Sequence, residues 1–159
     1  MGGWGFYDHE NDGTLDAWGA IFDDLLPDRI SGMPNSEERY QMAEEWARTH
    51  RKELYISALA WIQGWIVRNH AMPEPDMYVS GVALQVADFL AGRNRKTGLP
   101  HCMPHDYPRR LKVLGLAATR ALLDHTDENR LAWTDNKKRK KHLQEQERFF
   151  QRKNDKKCK

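Results

Sequence analysis

The sequence predicts an all-α protein, with five to six helices in a single orthogonal helical bundle and a charged C-terminal helix or arm. Three observations predict it. Apolar residues recur at spacings of three and four through most of the 159 residues, which places them on one face of successive helices. No segment alternates apolar and polar residues as a half-buried strand does. Prolines and glycines fall between the periodic segments, where they end helices rather than interrupt them.

Each element follows in order. Asn11 or Asp12 caps a first helix, whose inner face carries Leu15, Trp18, Ile21, Phe22, Leu25 and Leu26. Pro27 ends it, and R-I-S-G-M-P-N reads as a turn-rich connection. Ser36, Glu37 and Glu38 begin a second helix, with Tyr40, Ala43, Trp46 and Ala47 inward. The stretch E-L-Y-I-S-A-L-A-W-I-Q-G-W-I-V is the hydrophobic centre of the chain. Its Leu54, Ala58, Trp61, Ile62, Trp65 and Ile66 predict a nearly buried helix, closed by Pro73 and Pro75. Val79, Val82, Ala83, Val86, Phe89 and Leu90 mark the next helix, which Gly92 stops. The prolines of L-P-H-C-M-P-H-D-Y-P forbid regular structure for most of that loop. Arg109 to Leu123 is helical, with Leu111, Leu114, Ala118, Ala121 and Leu122 inward. Beyond Asp127, Leu131, Trp133, Leu143, Phe149 and Phe150 are apolar anchors in a charged helix. Residues 1–136 therefore read as a helical domain and 137–159 as a basic C-terminal helical extension.

Composition narrows the function classes. Apolar residues make up 40% of the chain and include six tryptophans, enough to bury a core. No apolar run approaches the roughly 20 residues that cross a bilayer, and the N-terminus lacks a signal-peptide pattern, so no membrane partner is expected. Two cysteines, one in a charged tail, predict reduced thiols and a cytoplasmic or nuclear protein. The net charge of +2 conceals an asymmetry, because residues 137–159 hold 11 Lys or Arg against 3 Asp or Glu. Residues 1–136 hold 14 basic against 20 acidic side chains. An acidic body with a basic tail implies an anionic partner for the tail, or docking of one copy's tail on another's body.

The opening motif, with Trp4, Gly5, Glu10, Asn11, Asp12 and Asp16, resembles an uncharacterised domain-of-unknown-function family. Its members are small helical proteins of bacteria and some large viruses. The segments A-L-A-W-I-Q-G-W and A-L-Q-V-A-D-F-L look like that family's two middle helices. The charged stretch from Asn129 looks like its last helix. The resemblance implies a helical fold and, for a viral member, a place in the virion; it implies no activity. Phe6 and Tyr7, where the family has small residues, and the Lys137–Lys141 cluster depart from it.

Four features bear on chemistry. Asp8, Glu10, Asp12 and Gly13 follow the spacing of a calcium loop, but the twelfth position is Gly19 rather than a bidentate acid. The alternative is a helix start, with Asn11 or Asp12 accepting free N–H groups and the acids facing the positive end of the dipole. The helix start is the expectation, and no metal or cofactor goes with it. His101, Cys102 and His105 are zinc-type ligands, which His70 or Asp106 could bring to four, yet no second ligand pair accompanies them. No nucleophile elbow, P-loop or H-E-x-x-H occurs, so a non-enzymatic protein is expected. Lys137, Lys138, Arg139, Lys140 and Lys141 can neutralise phosphates or meet acids on a partner. In the second case Leu143, Phe149 and Phe150 would enter the partner's groove. The leading expectation is an interaction protein within a larger protein assembly, possessing an arm for an acidic or groove-bearing surface and, if viral, forming a minor virion component. A sequence-nonspecific nucleic-acid binder using the tail is the first alternative, and a metal-dependent enzyme the second.

Overall fold

The computed structural model describes residues 7–10, 12–69, 75–126 and 136–159. Trp4, Gly5, Asn11, His70, Pro73, Leu131 and Trp133 lie outside the described residues. The chain is all-helical, and an isolated bridge between Arg93 and Pro100 is the nearest thing to sheet among the described residues. A short 3-10 helix at Asp8–Glu10 precedes α1 (Asp12–Leu25), α2 (Asp28–Ser31), α3 (Glu37–Thr49), α4 (Arg51–Asn69), α5 (Pro75–Ala91), α6 (Arg109–Thr126) and α7 (Asn136–Phe150). The additional helix, relative to the five or six expected, is α2. Pro27 occupies its N-cap position in extended conformation, so the proline that ends α1 also starts one further turn. Ile30 of that turn is buried against Leu26 and Ala43.

Local chemistry explains the boundaries. The Ser36 hydroxyl oxygen accepts the Arg39 N–H at 3.2 Å, and Glu37 and Glu38 lie in the first turn of α3. His50 interrupts the helical path for one residue, which separates α3 from α4. Residues 92–108 form the expected loop, in which Gly92 and Gly98 adopt positive φ.

The centre of the core is α5, not α4. Helix α5 contacts α1, α4, α6 and the 3-10 helix. Val79, Val82, Ala83, Leu84, Val86 and Ala87 are buried there on nearly every side. The small side chains of α5 admit neighbours from several directions. Helix α4 is less apolar and buries one stripe, Leu54, Ala58 and Ile62 with Tyr55, leaving Ile66 38% exposed. Two further inward assignments are corrected: Leu15 is 50% exposed and Tyr40 65% exposed. Both lie on helix faces that no neighbouring element covers among the described residues, so periodicity alone placed them inside.

Helix α7 packs along α6 and contributes to the same core. Leu143, Phe149 and Phe150, expected as anchors for a partner, are buried within this chain. Gly115 of α6 makes room for Phe150, since a Cβ there would lie 2.5 Å from the ring. Phe150→Ala is expected to cost about 3–5 kcal/mol of stability, the range for deleting a buried aromatic. A urea midpoint equal to that of the parent would return Phe150 to a docking role.

Candidate functional site

Two fastenings hold the N-terminal turn, the 92–108 loop and α7 together. The first is a buried polar cluster around Asp8. Its carboxylate pairs with the Arg139 guanidinium and accepts the Ser80 hydroxyl. Gln146 donates to the same carboxylate at 2.9 Å, while its carbonyl oxygen accepts the Asp8 N–H at 2.8 Å. The Asp8 carbonyl accepts the Thr14 hydroxyl at 2.8 Å. Asp8 and Arg139 are both fully buried, and each charge is compensated by the other. The acids of the opening stretch are thus spoken for separately. Glu10 faces Arg93 at 3.5 Å and the Tyr7 N–H at 3.3 Å, while Asp16 is exposed. Asp12 opens α1.

The second fastening is a disulfide, which corrects the expectation of reduced thiols. Cys102 is bonded to Cys158, with Cα atoms 5.9 Å apart across a sequence separation of 56 residues. The C-terminal segment folds back on the loop through further bonds. Asp155 N–H donates to the Met103 carbonyl at 3.1 Å, and Asn154 Nδ2 donates to the Tyr107 carbonyl at 2.9 Å. His105 Nδ1 lies 3.0 Å from the Cys158 carbonyl, and His101 is exposed. Asp106 is held by Arg51 Nε at 2.8 Å and by the Tyr55 hydroxyl at 2.7 Å. The Arg51 guanidinium lowers the Asp106 carboxyl to about 2. The zinc-type residues are therefore dispersed into separate roles, with the thiolate removed. Among the described residues no group of three or more His, Cys, Asp or Glu could hold a metal ion.

Between these fastenings lies an open cleft of about 460 Å³. Residues 94–101 form one wall, and Lys141, Arg148 and Arg152 stand on the other. Tyr7 sets their separation. Its ring meets His142 of α7 edge-on at 4.6 Å, and its hydroxyl donates to Glu145. Burial and the Glu145 carboxylate push the Tyr7 pKa well up, so the phenol keeps its proton. On the other side Gly98 has a φ of 81°, and a Cβ there would lie 2.9 Å from the Tyr7 ring. Only glycine satisfies both demands.

Charge distinguishes this cleft. Lys96, Lys141, Arg148 and Arg152 line it and make no ion pair among the described residues. Glu145, the sole lining carboxylate among the described residues, already accepts the Tyr7 hydroxyl. Of the expected partner-binding residues, Lys137 and Lys141 remain exposed on α7, as does Lys138. Lys140 is half-buried, and Arg139 is committed to Asp8. Reading the tail as one basic block missed the separation of Arg139 from its neighbours. It also missed Lys96, Arg148 and Arg152. Helical period would have found Arg148, since Lys137, Lys141 and Arg148 fall within a sector of roughly 40°; Arg152 lies past the end of α7, where period gives no signal.

A second depression of about 540 Å³ lies between α1, α3 and α5. Leu15 and Tyr40 border it, with Trp18, Phe22 and Phe89 clustered at centroid distances of 4.9 to 5.8 Å. The protein is thus an all-helical chain with a cationic cleft on one side and an aromatic groove on another. No protein-family model matches the chain, and no curated protein or solved structure matches it. The resemblance carried by the opening motif therefore assigns no family.

Two predictions follow from the fastenings. Cys102→Ser with Cys158→Ser is expected to lower stability by about 4 kcal/mol, the chain-entropy value for a loop of this length. Thermal melts with and without reductant check it, and equal midpoints would show that the bond contributes nothing. The second concerns His9, which is 1% exposed, with neither ring nitrogen hydrogen-bonded. The Gly98 backbone lies nearby but outside hydrogen-bonding geometry. Burial, reinforced by Arg93, lowers the His9 pKa to about 3. The unfolded chain then binds one more proton than the folded one between pH 3 and the ordinary histidine value of about 6.5. Stability is full above that window and is lost as pH falls through it, by at most about 1.4 kcal/mol per pH unit. Asp88, whose pKa burial raises, acts in the opposite sense. Urea midpoints from pH 7 to pH 5 should fall in the parent and stay flat in His9→Gln.

Proposed function

We propose that this chain is a non-enzymatic helical binding module that takes a nucleic acid, without reading its sequence, on α7 and the adjoining cleft. One observation carries the reading. Lys137, Lys141 and Arg148 form an exposed stripe on α7 that makes no ion pair among the described residues, and Lys96 faces it from the opposite wall. From Lys137 to Arg148 the stripe runs about 16 Å along the helix, long enough to follow several phosphates. The apolar anchors that a docking arm requires are inside the protein, which weakens the arm reading and leaves the charges. Among the described residues no helix is long and apolar enough to cross a membrane. The disulfide fits an oxidising setting, so of the locations expected from sequence a virion suits the chain better than the reduced cytosol.

A second reading keeps the leading expectation of a protein assembly but moves its contact to the aromatic groove. Half-exposed Leu15 and exposed Tyr40 beside three clustered rings favour it.

Fluorescence anisotropy with labelled duplex and single-stranded DNA of unrelated sequences tests the first reading. Affinity should be similar across sequences and fall with salt, by roughly 0.9 logarithmic units per logarithmic unit for each phosphate neutralised on duplex. Lys141→Glu with Arg148→Glu should weaken binding uniformly and lower that slope by about 2. No binding at low salt sinks the nucleic-acid reading. Binding that is indifferent to salt does so too.

A further inference from the structure

We propose, resting on the nucleic-acid reading above, that the cleft is a terminal-phosphate site: it takes a phosphomonoester, such as the end of a strand, in preference to the internal diesters that the α7 stripe can follow. A helix face meets a phosphate from one side. This cleft has two walls, with Lys96 on the loop and Lys141, Arg148 and Arg152 on the other side. A phosphomonoester carries a charge of about −1.5 to −2 and three strong acceptor oxygens, whereas an internal diester carries a single charge. The second charge and third oxygen are the features that cations on opposite walls can use.

The loop also supplies neutral donors. The Asn94 Oδ1 accepts the Lys96 N–H at 2.9 Å, and the Thr97 hydroxyl oxygen accepts the Leu99 N–H at 3.4 Å. Each of these side-chain oxygens thus takes a backbone N–H of the loop, while the Asn94 amide and Thr97 hydroxyl carry hydrogens that can be donated. Glu145 is the lining group that would repel a phosphate. Tyr7, protonated and bonded to it, partly compensates that charge. Tyr7 and Phe149 close the floor and are themselves buried, so they offer no open ring face on which a base could stack. The volume of about 460 Å³ lies in the range of small-ligand sites. Such a site reads the phosphate group and leaves the base outside.

The test uses the full disulfide-bonded chain and one oligonucleotide sequence in three forms: 5′-phosphorylated, 3′-phosphorylated and hydroxyl at both ends. A phosphorylated strand should bind about tenfold tighter than the hydroxyl strand, as an added charge-assisted contact allows. Lys96→Met, an exposed position off α7, should bring the phosphorylated strand down to the affinity of the hydroxyl strand. Inorganic phosphate should erase the preference. A nucleoside monophosphate added as competitor separates the sources. Competition at the same concentration as the phosphorylated strand assigns the site to free nucleotides, and much weaker competition assigns it to strand ends. Equal binding of all three strands, with the expected salt slope, overturns the terminal-phosphate inference and leaves the nucleic-acid reading standing. Failure of every strand to bind overturns both.

Discussion

Asp8 and Arg139 meet inside the protein with neither side chain exposed, and the rest of the architecture is arranged around that pair. A lone buried charge is strongly unfavourable, so the two residues must come together for either to be buried. Asp8 belongs to the first described turn and Arg139 to the last helix. Their pairing therefore ties the 3-10 helix, which packs on α5, to α7, which packs on α6, and Ser80 of α5 joins the cluster. Gln146, bonded to both the backbone and the carboxylate of Asp8, fixes the approach two turns further along α7. The apolar contacts of Leu143, Phe149 and Phe150 supply most of the favourable free energy, since hydrophobic burial is non-directional and large. The polar cluster supplies direction.

Pairing elsewhere sorts the remaining charges. Arg48, Arg51, Arg93 and Arg120 each face a carboxylate: Glu44, Asp106, Glu10 and Glu147 in turn. Exposed pairs of this kind contribute little stability, but they neutralise the surfaces on which they sit. The cations along the cleft have no such partners among the described residues, so their charge is left to act on whatever enters it. The disulfide reinforces the same place. Cys102 follows His101 on one wall, and Cys158 ends the segment that begins with Arg152 on the other.

Much of the fold was legible because helical period reports burial wherever one face meets a neighbour. Leu111, Ala118 and Leu122 of α6 are buried as their spacing predicts, whereas Leu143 and the two phenylalanines of α7, expected to anchor a partner, are buried in this chain instead. Period fails where a face has no neighbour, as at Leu15, Tyr40 and Ile66. It also understated α5, whose burial depends on small residues that admit close packing rather than on a stripe. The site was less legible for a different reason. The Asp8–Arg139 contact and the Cys102–Cys158 bond join residues far apart in sequence, and no local pattern encodes their meeting. Asp8 carried a misleading local signal, because acids spaced two apart look alike whether they hold a metal, begin a helix or point inward to a guanidinium. The histidines of the H-C-M-P-H-D loop misled similarly, since ligand-type residues near one another in sequence were separated by the fold.

The basic tail shows how a buried charge governs exposed ones. Arg139, Leu143, Gln146 and Phe150 recur at spacings of four, three and four and make the inner face of α7. Lys137, Lys141 and Arg148 recur on a face turned away from it. Rotation of the helix by one residue, about 100°, would expose Phe150 and carry a lysine toward the core, where no second Asp8 waits. An apolar stripe alone tolerates some rotation, because neighbouring hydrophobic contacts are interchangeable. A fork of bonds from Arg139 and Gln146 to a single carboxylate has far less freedom. The buried ion pair thus acts as the register device of α7, and through it Asp8 determines which cations reach the cleft.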